Sequence, residues 1–189
     1  MRIIGGKYRG RTLASFEGDA VRPTADRVKE SLFNIIQAYV PEARVLDLFA
    51  GSGNLALEAL SRGAAAAVMV DQDRVATACI RRNVEKLRYD DCTKLYKCDW
   101  RQAITQMKAA GEKPFDLVFL DPPYRMLELG DMCAALADAG LLAQDCMLAL
   151  EHRTGDFVRP DDRFEEWKDR TYADTQIHFY LFSCEEKEG

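Results

Sequence analysis

The fold is determined by residues 45–53, Val45-Leu46-Asp47-Leu48-Phe49-Ala50-Gly51-Ser52-Gly53. The first half of this stretch is an apolar run typical of a buried β-strand, and the second half is a glycine-rich turn. Residues 54–60 follow with apolar side chains at helical spacing. A strand, a tight turn and a helix in this order present backbone N–H groups and a helix N-terminus to a ligand. The stretch therefore predicts a binding turn for a small molecule.

The alternation of strand and helix continues along the chain. The early strands are near-continuous apolar runs, as expected of strands that are buried on both faces. Such alternation indicates an α/β fold of the Rossmann-like type, with a mostly parallel sheet, right-handed crossovers and helices on both faces. We predict strands at 44–49, 66–70, 93–98, 115–120 and 147–151, and helices at 53–62, 74–87, 100–110 and 127–139.

Two further segments flank these alternating elements. Residues 2–13 combine glycines with short apolar and basic runs and predict a β-hairpin, followed by a helix over residues 24–39. Residues 164–172 and 175–184 predict a C-terminal antiparallel hairpin that joins the sheet. We therefore divide the chain into an N-terminal hairpin and helix at residues 1–40, expected to bind RNA, and a main domain at residues 41–189.

Composition limits the classes of protein that this chain can represent. Its 189 residues are enough for one domain with a sizeable core. No apolar segment is long enough for a membrane span or a signal peptide. Six cysteines without a C-x-x-C pair and only two histidines argue against a zinc site and against a disulfide framework. We expect a cytoplasmic, monomeric protein with reduced cysteines, no metal and no membrane partner.

Charge is distributed unevenly along the chain. Residues 1–29 carry seven Lys and Arg side chains against three acidic ones, so their net charge is +4. The total of −5 therefore leaves −9 on the remaining residues. A basic arm on an acidic body is typical of a protein that contacts nucleic acid, although a solvated surface hairpin has the same composition. The predicted phosphate contacts are Arg9, Arg11, Arg22 and Arg27.

The glycine turn fits more than one cofactor. Residues 51–56 match G-x-G-x-x-G/A, and Asp71 lies at the end of the next strand, which together resemble a dinucleotide fingerprint. Asp47, just before the turn, would repel a pyrophosphate but suits the ammonium and sulfonium groups of S-adenosylmethionine. Asp71 would then bind the ribose hydroxyls.

A second acidic strand end, Asp99-Trp100, also favours S-adenosylmethionine. A carboxylate there can accept from an adenine amino group, and the indole can pack on the ring. Asp99 is also placed to cap helix 100–110, and capping does not exclude contact with the ligand. The predicted cofactor residues are Asp47, Phe49, Ala50, Gly51, Ser52, Gly53, Asp71, Asp99 and Trp100.

The motif Asp121-Pro122-Pro123-Tyr124 follows a second buried strand. Its prolines lack backbone donors, so the Pro122 carbonyl and the Asp121 carboxylate are available as acceptors. Tyr124 supplies a flat face for stacking. Two acceptors around an exocyclic amine direct its lone pair towards a methyl group and accept its proton after transfer. These four residues are the predicted catalytic group, and a rigid turn is the alternative interpretation.

These motifs together resemble one known family. Residues 47–53, 58–64 and 121–124 closely resemble the RsmD family of bacterial 16S rRNA guanine-N2 methyltransferases. The N-terminal residues 2–11 and 22–34 resemble the start of that family and are its more specific part. The resemblance implies a class I methyltransferase fold, S-adenosylmethionine as donor and a guanine in the helix 31 loop of small-subunit 16S rRNA as target.

Three other functions remain open at this point. A DNA adenine-N6 methyltransferase also uses this motif, but sequence-specific DNA enzymes usually need an added recognition region. A protein glutamine methyltransferase would be expected to have Asn rather than Asp at position 121. A cofactor-binding RNA assembly factor without turnover is the alternative outside the enzymes. The sequence leaves open whether the substrate is free rRNA or an assembly intermediate of the small subunit.

Overall fold

The computed structural model describes residues 1–16, 23–123, 126–155 and 159–184. Its helices and strands alternate as predicted, and two short 3-10 turns lie at Gln37–Tyr39 and Asp90–Cys92. The helices are α1 (Pro23–Ile35), α2 (Asn54–Ser61), α3 (Arg74–Leu87), α4 (Trp100–Ala109) and α5 (Leu129–Asp138), and the strands are β1 (Arg44–Asp47), β2 (Ala66–Val70), β3 (Thr93–Tyr96), β4 (Phe115–Leu120), β5 (Leu142–Arg153), β6 (Phe164–Tyr172) and β7 (Thr175–Phe182).

Seven strands form one sheet in the order β3-β2-β1-β4-β5-β7-β6. Strands β1 to β5 pair in parallel, and β7 pairs antiparallel with both β5 and β6. The direction of the chain across the sheet changes at β1, because β2 and β3 lie on one side of it and β4 lies on the other. Ligands in such sheets bind at the carboxyl ends of the strands beside this point.

Each face of the sheet is covered by its own core. Val45 and Phe119 lie on one face, where they pack with α1, α2 and α3 in a cluster that also includes Ile3 and Leu13. Neighbouring strand residues such as Leu46 point to the opposite face and pack with α4 and α5. Because successive strand side chains alternate between faces, buried strands of this kind read as continuous apolar runs. The predicted fold class is confirmed.

The N-terminal segment forms a short hairpin, as predicted, although its arms are too irregular to count as strands. An antiparallel bridge joins Arg2 and Thr12, and backbone hydrogen bonds of 2.8–3.0 Å join residues 1–3 to residues 10–13. The turn of this hairpin also binds α2, with Lys7 N 2.7 Å from the Ser61 carbonyl oxygen. Gly6 has φ +71°, and a Cβ there would lie 1.7 Å from that same oxygen. Close approach to α2 therefore fixes the turn of the hairpin.

A buried carboxylate joins this segment to α2. Glu58 has no exposed surface, and its two oxygens accept from Ile4 N at 2.9 Å and Gly5 N at 2.8 Å. Lys29 Nζ lies 3.1 Å from one oxygen, and Arg62 Nε lies 2.8 Å from the other. Burial lowers the pKa of Lys29, and the Glu58 charge opposes that shift. Glu58 therefore satisfies two backbone donors and two cations at one point.

Several element bounds also differ from the predictions. Helix α1 begins at Pro23, a residue whose fixed φ suits the first helical position, and tightens into a 3-10 turn after Ile35. Strand β5 extends over Leu142–Arg153, because a bulge next to β4 accommodates its polar beginning. His152, expected in a loop, therefore lies buried on this strand. No helix among the described residues is long and apolar enough to cross a membrane.

Candidate functional site

A cavity of about 590 Å³ opens at the carboxyl edge of the sheet, where β1, β2, β3 and β4 end. This volume is in the range typical of small-molecule sites. Each of the four strand ends contributes to its wall, so motifs that are distant in sequence meet there. The wall includes Leu48, Phe49, Asp71, Gln72, Asp73, Cys98, Asp99, Trp100, Arg101, Asp121, Pro122, Pro123 and Met126.

The glycine turn is fixed by the neighbouring strand. Gly51 has φ +56°, and its backbone N–H donates to Asp71 Oδ2 at 2.9 Å. Gly53 has φ +80° at the start of α2, where an added Cβ would lie 3.2 Å from Met69 Sδ. Asp71 Oδ1 accepts from the Asp73 N–H at 2.8 Å, which connects the turn to the start of α3. Asp71 therefore organises the turn and also lines the cavity.

Asp47 lies behind the turn and is almost fully buried. One of its oxygens accepts from Ala56 N at 3.3 Å, and the other forms no hydrogen bond to any described residue. Burial, reinforced by the nearby charges of Asp121 and Asp71, raises the pKa of Asp47 to about 7. A buried carboxylate without a cationic partner is costly, and a cationic ligand would offset that cost.

Asp121 directly follows β4, and Glu151 lies on the adjacent strand β5. Leu120 and Leu150 are in register on β4 and β5, so the residues that follow them lie side by side. Burial raises the pKa of Asp121 to about 6. Burial and the Asp121 charge raise the pKa of Glu151 to about 8. Perturbed acids of this kind cluster at functional sites, and Asp121 itself lines the cavity.

Asp99 caps α4 and also faces the cavity. Its Oδ1 accepts from Arg101 N at 2.9 Å and Gln102 N at 3.0 Å. Among the described residues its Oδ2 has no hydrogen-bond partner, so this oxygen is available to a ligand. Trp100 is buried in the cavity wall, with the Arg101 guanidinium 4.2 Å from its ring centre. Capping and ligand contact are therefore compatible at Asp99.

The cavity wall contains only part of the predicted cofactor set. Phe49, Asp71, Asp99 and Trp100 line it, whereas Asp47 at the end of β1 and the turn residues Ala50, Gly51, Ser52 and Gly53 do not. The Ser52 side chain is directed away, with its hydroxyl 3.8 Å from Met1 Sδ. Of the predicted catalytic residues, Asp121, Pro122 and Pro123 line the cavity, and Tyr124 lies outside the described residues.

The predicted RNA contacts lie apart from the cavity. Arg9, Arg11 and Arg27 are exposed, and Arg22 lies outside the described residues. Two other cations counted in the basic arm are engaged within the protein. Arg2 Nε lies 3.0 Å from Asp26, and Lys29 is buried against Glu58. The surface charge of the arm is therefore smaller than its sequence indicates.

Comparisons with known proteins agree with this geometry. A family model described as "Conserved hypothetical protein 95" matches residues 1–181. Ribosomal RNA small subunit methyltransferase D of Escherichia coli (strain K12) is 38% identical over 151 residues, covering 80% of this chain and 74% of that protein. The chain belongs to the RsmD family.

The fold of this chain is similar to those of solved methyltransferase structures. The Escherichia coli protein yhhF superposes with a TM-score of 0.87 at 31% identity, covering 98% of this chain and 99% of that one. An RNA methyltransferase from Salinibacter ruber, solved with S-adenosyl-L-homocysteine, has a TM-score of 0.65 at 15% identity and covers 89% of this chain and 98% of that one. The second likeness shows the fold alone, and the class I methyltransferase fold is confirmed.

Two features of the site were not assigned from the sequence. Glu151 was included only as the end of the predicted strand 147–151, and its position beside Asp121 depends on the register of β4 and β5. Glu58 was read as part of a helix, because its partners Ile4 and Lys29 are far away in sequence. The available signal in the sequence was a single carboxylate in a helix whose other residues are mostly apolar. No group of three or more His, Cys, Asp and Glu among the described residues is placed to hold a metal ion.

Proposed function

We propose that this protein transfers a methyl group from S-adenosylmethionine to the exocyclic N2 amine of a guanine in 16S rRNA of the small subunit. The observation that carries the proposal is that Asp71 and Asp99 line the same cavity as Asp121 and Pro122. The predicted cofactor groups and the predicted amine-binding groups therefore face one space. The target implied by the family resemblance is the helix 31 loop.

The residues present fit S-adenosylmethionine better than a dinucleotide. The strand ends beside the cavity carry acidic side chains, and Asp47 has a buried oxygen without a hydrogen-bond partner among the described residues. Such an environment favours a cation and opposes a pyrophosphate. Asp71 would bind the ribose hydroxyls, Asp99 the adenine amine and Trp100 the adenine ring. The bound cofactor supplies an electrophilic methyl group on its sulfonium.

The protein's contribution to transfer is to orient the amine and accept its proton. The Asp121 carboxylate and the Pro122 carbonyl accept from the two N–H groups, which directs the nitrogen lone pair towards the methyl group. The methyl group would leave the sulfonium sulfur, which becomes a neutral thioether, as the N–C bond forms; N2 then carries the positive charge and loses a proton to Asp121. This role requires ionised Asp121, a condition met above a pH of about 6.

The substrate and setting follow from the same proposal. We propose that the protein acts as a monomer. Since the proposed substrate is bacterial 16S rRNA, free or within an assembling small subunit, the protein would act in the cytoplasm. The exposed Arg9, Arg11 and Arg27 would contact phosphates, and Arg22 is proposed for the same role.

The test is incubation with labelled S-adenosylmethionine and small subunits from a strain lacking the gene, followed by digestion of the RNA to nucleosides. We expect label in N2-methylguanosine from 16S rRNA. Label at N1 or O6 of guanine would contradict the proposal, and so would label found only as N6-methyladenine in DNA. Cofactor binding without transfer to free rRNA or to assembly intermediates would favour a role without turnover.

A further inference from the structure

Arg9 lies far from the cavity. The neighbouring Tyr8 packs its ring 5.3 Å from that of Tyr89, two residues beyond the end of α3. Tyr8 N also binds Ser61, the last residue of α2. Helices α2 and α3 both begin at the cavity edge and end at the opposite edge of the sheet. Arg9 is therefore separated from the cavity by the length of these helices.

That separation is spanned by α3. The helix has 14 residues and is therefore about 21 Å long. Its N-cap, Asp73, is part of the cavity wall. Its last turns lie beside the arm, where Asn83 exchanges hydrogen bonds with Ala14 at 2.7 and 3.0 Å and Lys86 Nζ binds the Thr12 carbonyl at 2.6 Å. One helix therefore connects the cavity with the arm.

The outer side of this helix is strongly basic. Its buried positions face the core. From its N-cap Asp73 to its C-cap Arg88, the exposed side chains include five cations and two acids, Asp73 and Glu85. Within the described ranges the guanidinium groups of Arg81 and Arg82 form no ion pair. We call this the α3 surface, and it consists of Arg74, Arg81, Arg82, Lys86 and Arg88.

We infer that the α3 surface binds the RNA phosphate backbone along the path from the cavity to the arm. The inference rests on the proposed function, because it requires RNA whose target base enters the cavity. RNA that also reaches Arg9 and Arg11 must pass over α2 or α3, and α3 presents unpaired guanidinium groups there. The arm is held against α2 through Glu58, so the two basic regions have fixed spacing.

RNA fits this surface better than a protein does. Protein interfaces have a core enriched in aromatic and apolar side chains. Among the described residues, the large apolar side chain that α3 exposes is that of Val75, which lies in its first turn. The acidic Asp90 and Asp91 follow the helix and bound the surface at its far end. A basic strip without an apolar centre matches a phosphate backbone, whose binding is mainly electrostatic.

The experiment compares two double variants of the full chain. Arg81→Ala/Arg82→Ala removes two exposed charges from α3, and alanine favours the helix. Lys108→Ala/Lys113→Ala removes two exposed charges near α4, on the opposite side of the sheet. Binding of transcribed 16S rRNA and of small subunits is measured over a series of KCl concentrations, together with cofactor binding as a check of folding.

We expect only the α3 variant to change the salt dependence. Two lost contacts to single-stranded RNA reduce the slope of log K against log[salt] by roughly 1.4, and weaken binding roughly fivefold per contact near 0.1 M salt. Transfer to N2 should show a raised KM and an unchanged kcat. The Lys108→Ala/Lys113→Ala control should match the wild type in slope, KM and kcat.

Three outcomes would overturn the inference. Equal slopes for the two variants would mean that the loss of RNA-binding affinity reflects net charge alone. If affinity falls for assembled small subunits but not for transcribed 16S rRNA, α3 would contact a protein partner instead. Wild-type slope and KM in the α3 variant, with N2 transfer intact, would remove α3 from the interface. Failure of the proposed function is distinguishable, because the wild-type protein itself would then place no methyl group on N2.

Discussion

Two buried carboxylates in the same strand-turn-helix unit have opposite surroundings. Glu58, on α2, accepts from two backbone N–H groups and lies within 3.1 Å of two cations. Asp47, at the end of β1, has one long hydrogen bond and one oxygen without a partner among the described residues, and its charged neighbours are the acids Asp121 and Asp71. The first carboxylate is satisfied by the protein, and the second is left for a ligand.

The difference separates stability from function. A buried ion pair with all its hydrogen bonds made holds segments together, whereas an unpaired buried acid costs stability in the ligand-free protein. Asp121 and Glu151, at the same edge, likewise form no ion pair with a described residue, and both have a raised pKa. Substitutions at the two types of carboxylate should therefore change different measurable quantities.

The largest expected effect is on activity at Asp121. Asp121→Ala removes an acceptor of the target amine, and we expect kcat for methyl transfer to fall by about 10²- to 10⁴-fold. The free energy of unfolding should not decrease, since no described residue forms an ion pair with the lost group. Transfer is measured with labelled S-adenosylmethionine, and cofactor binding is measured by calorimetry. Near-normal turnover would contradict the role given to Asp121.

Glu58 should show the opposite behaviour. Glu58→Ala leaves Lys29 buried without its partner and leaves the Ile4 and Gly5 donors unsatisfied. We expect the free energy of unfolding in urea to fall by about 3–5 kcal/mol. Glu85→Ala, at an exposed position of α3, is the control and should change it by less than about 0.5 kcal/mol. If Glu58→Ala lowered the free energy of unfolding as little as the control does, the buried ion pair would contribute little to stability.

Asp47 allows a test by pH. Because the pKa of Asp47 is raised to about 7 in the folded protein, this acid binds its proton more tightly there than in the unfolded chain. Its contribution to stability therefore falls as pH rises from about 4 to about 7, and stays low above that. Asp47→Asn removes the titration.

The measurement is urea unfolding of the wild type and of Asp47→Asn at about pH 5 and about pH 8. We expect the difference in unfolding free energy to shift in favour of the variant by about 2 kcal/mol between these pH values. A difference that does not change with pH would show that Asp47 is not an unpaired buried charge. S-adenosylmethionine binding should weaken in the variant at both pH values.

The smallest effect is expected at Glu151. With a pKa of about 8, this side chain is mostly neutral at pH 7 and gains a negative charge beside Asp121 above that. That charge favours the positive charge that develops on the amine, so wild-type kcat should rise about twofold between pH 7 and 9. Glu151→Gln should match the wild type at pH 7 and lack the rise. Glu30→Gln, on the exposed side of α1, should keep the wild-type profile.

The fold was largely predictable because its signals are local. Apolar runs such as Phe115–Leu120 bury both faces of a strand, and glycines with positive φ end the turns next to them. The order of motifs also places Asp71, Asp99 and Asp121 at strand ends, which all face the same edge in a parallel sheet. The cavity and its acidic wall follow from that topology.

What could not be predicted depends on pairing between distant segments. Lys29 was counted as a surface cation, but the structure buries it against Glu58. Glu151 acquires its environment from the register of β4 and β5, which sequence periodicity does not specify. The N-terminal hairpin was predicted, but its attachment to α2 was not, since that interaction requires the folded helix. The relation of the α3 arginines to the arm likewise appears only in three dimensions.

The position of β7 has a consequence for biosynthesis. Strand β7 is inserted between β5 and β6, where Leu148 pairs with Tyr180 and Leu150 with His178. One edge of β5 therefore stays unpaired until both β6 and β7 have been translated and released. Contacts between segments made at different times slow folding and leave an exposed strand edge in the interim. A nascent chain of this protein would be protected from aggregation at this edge only after β7 has emerged.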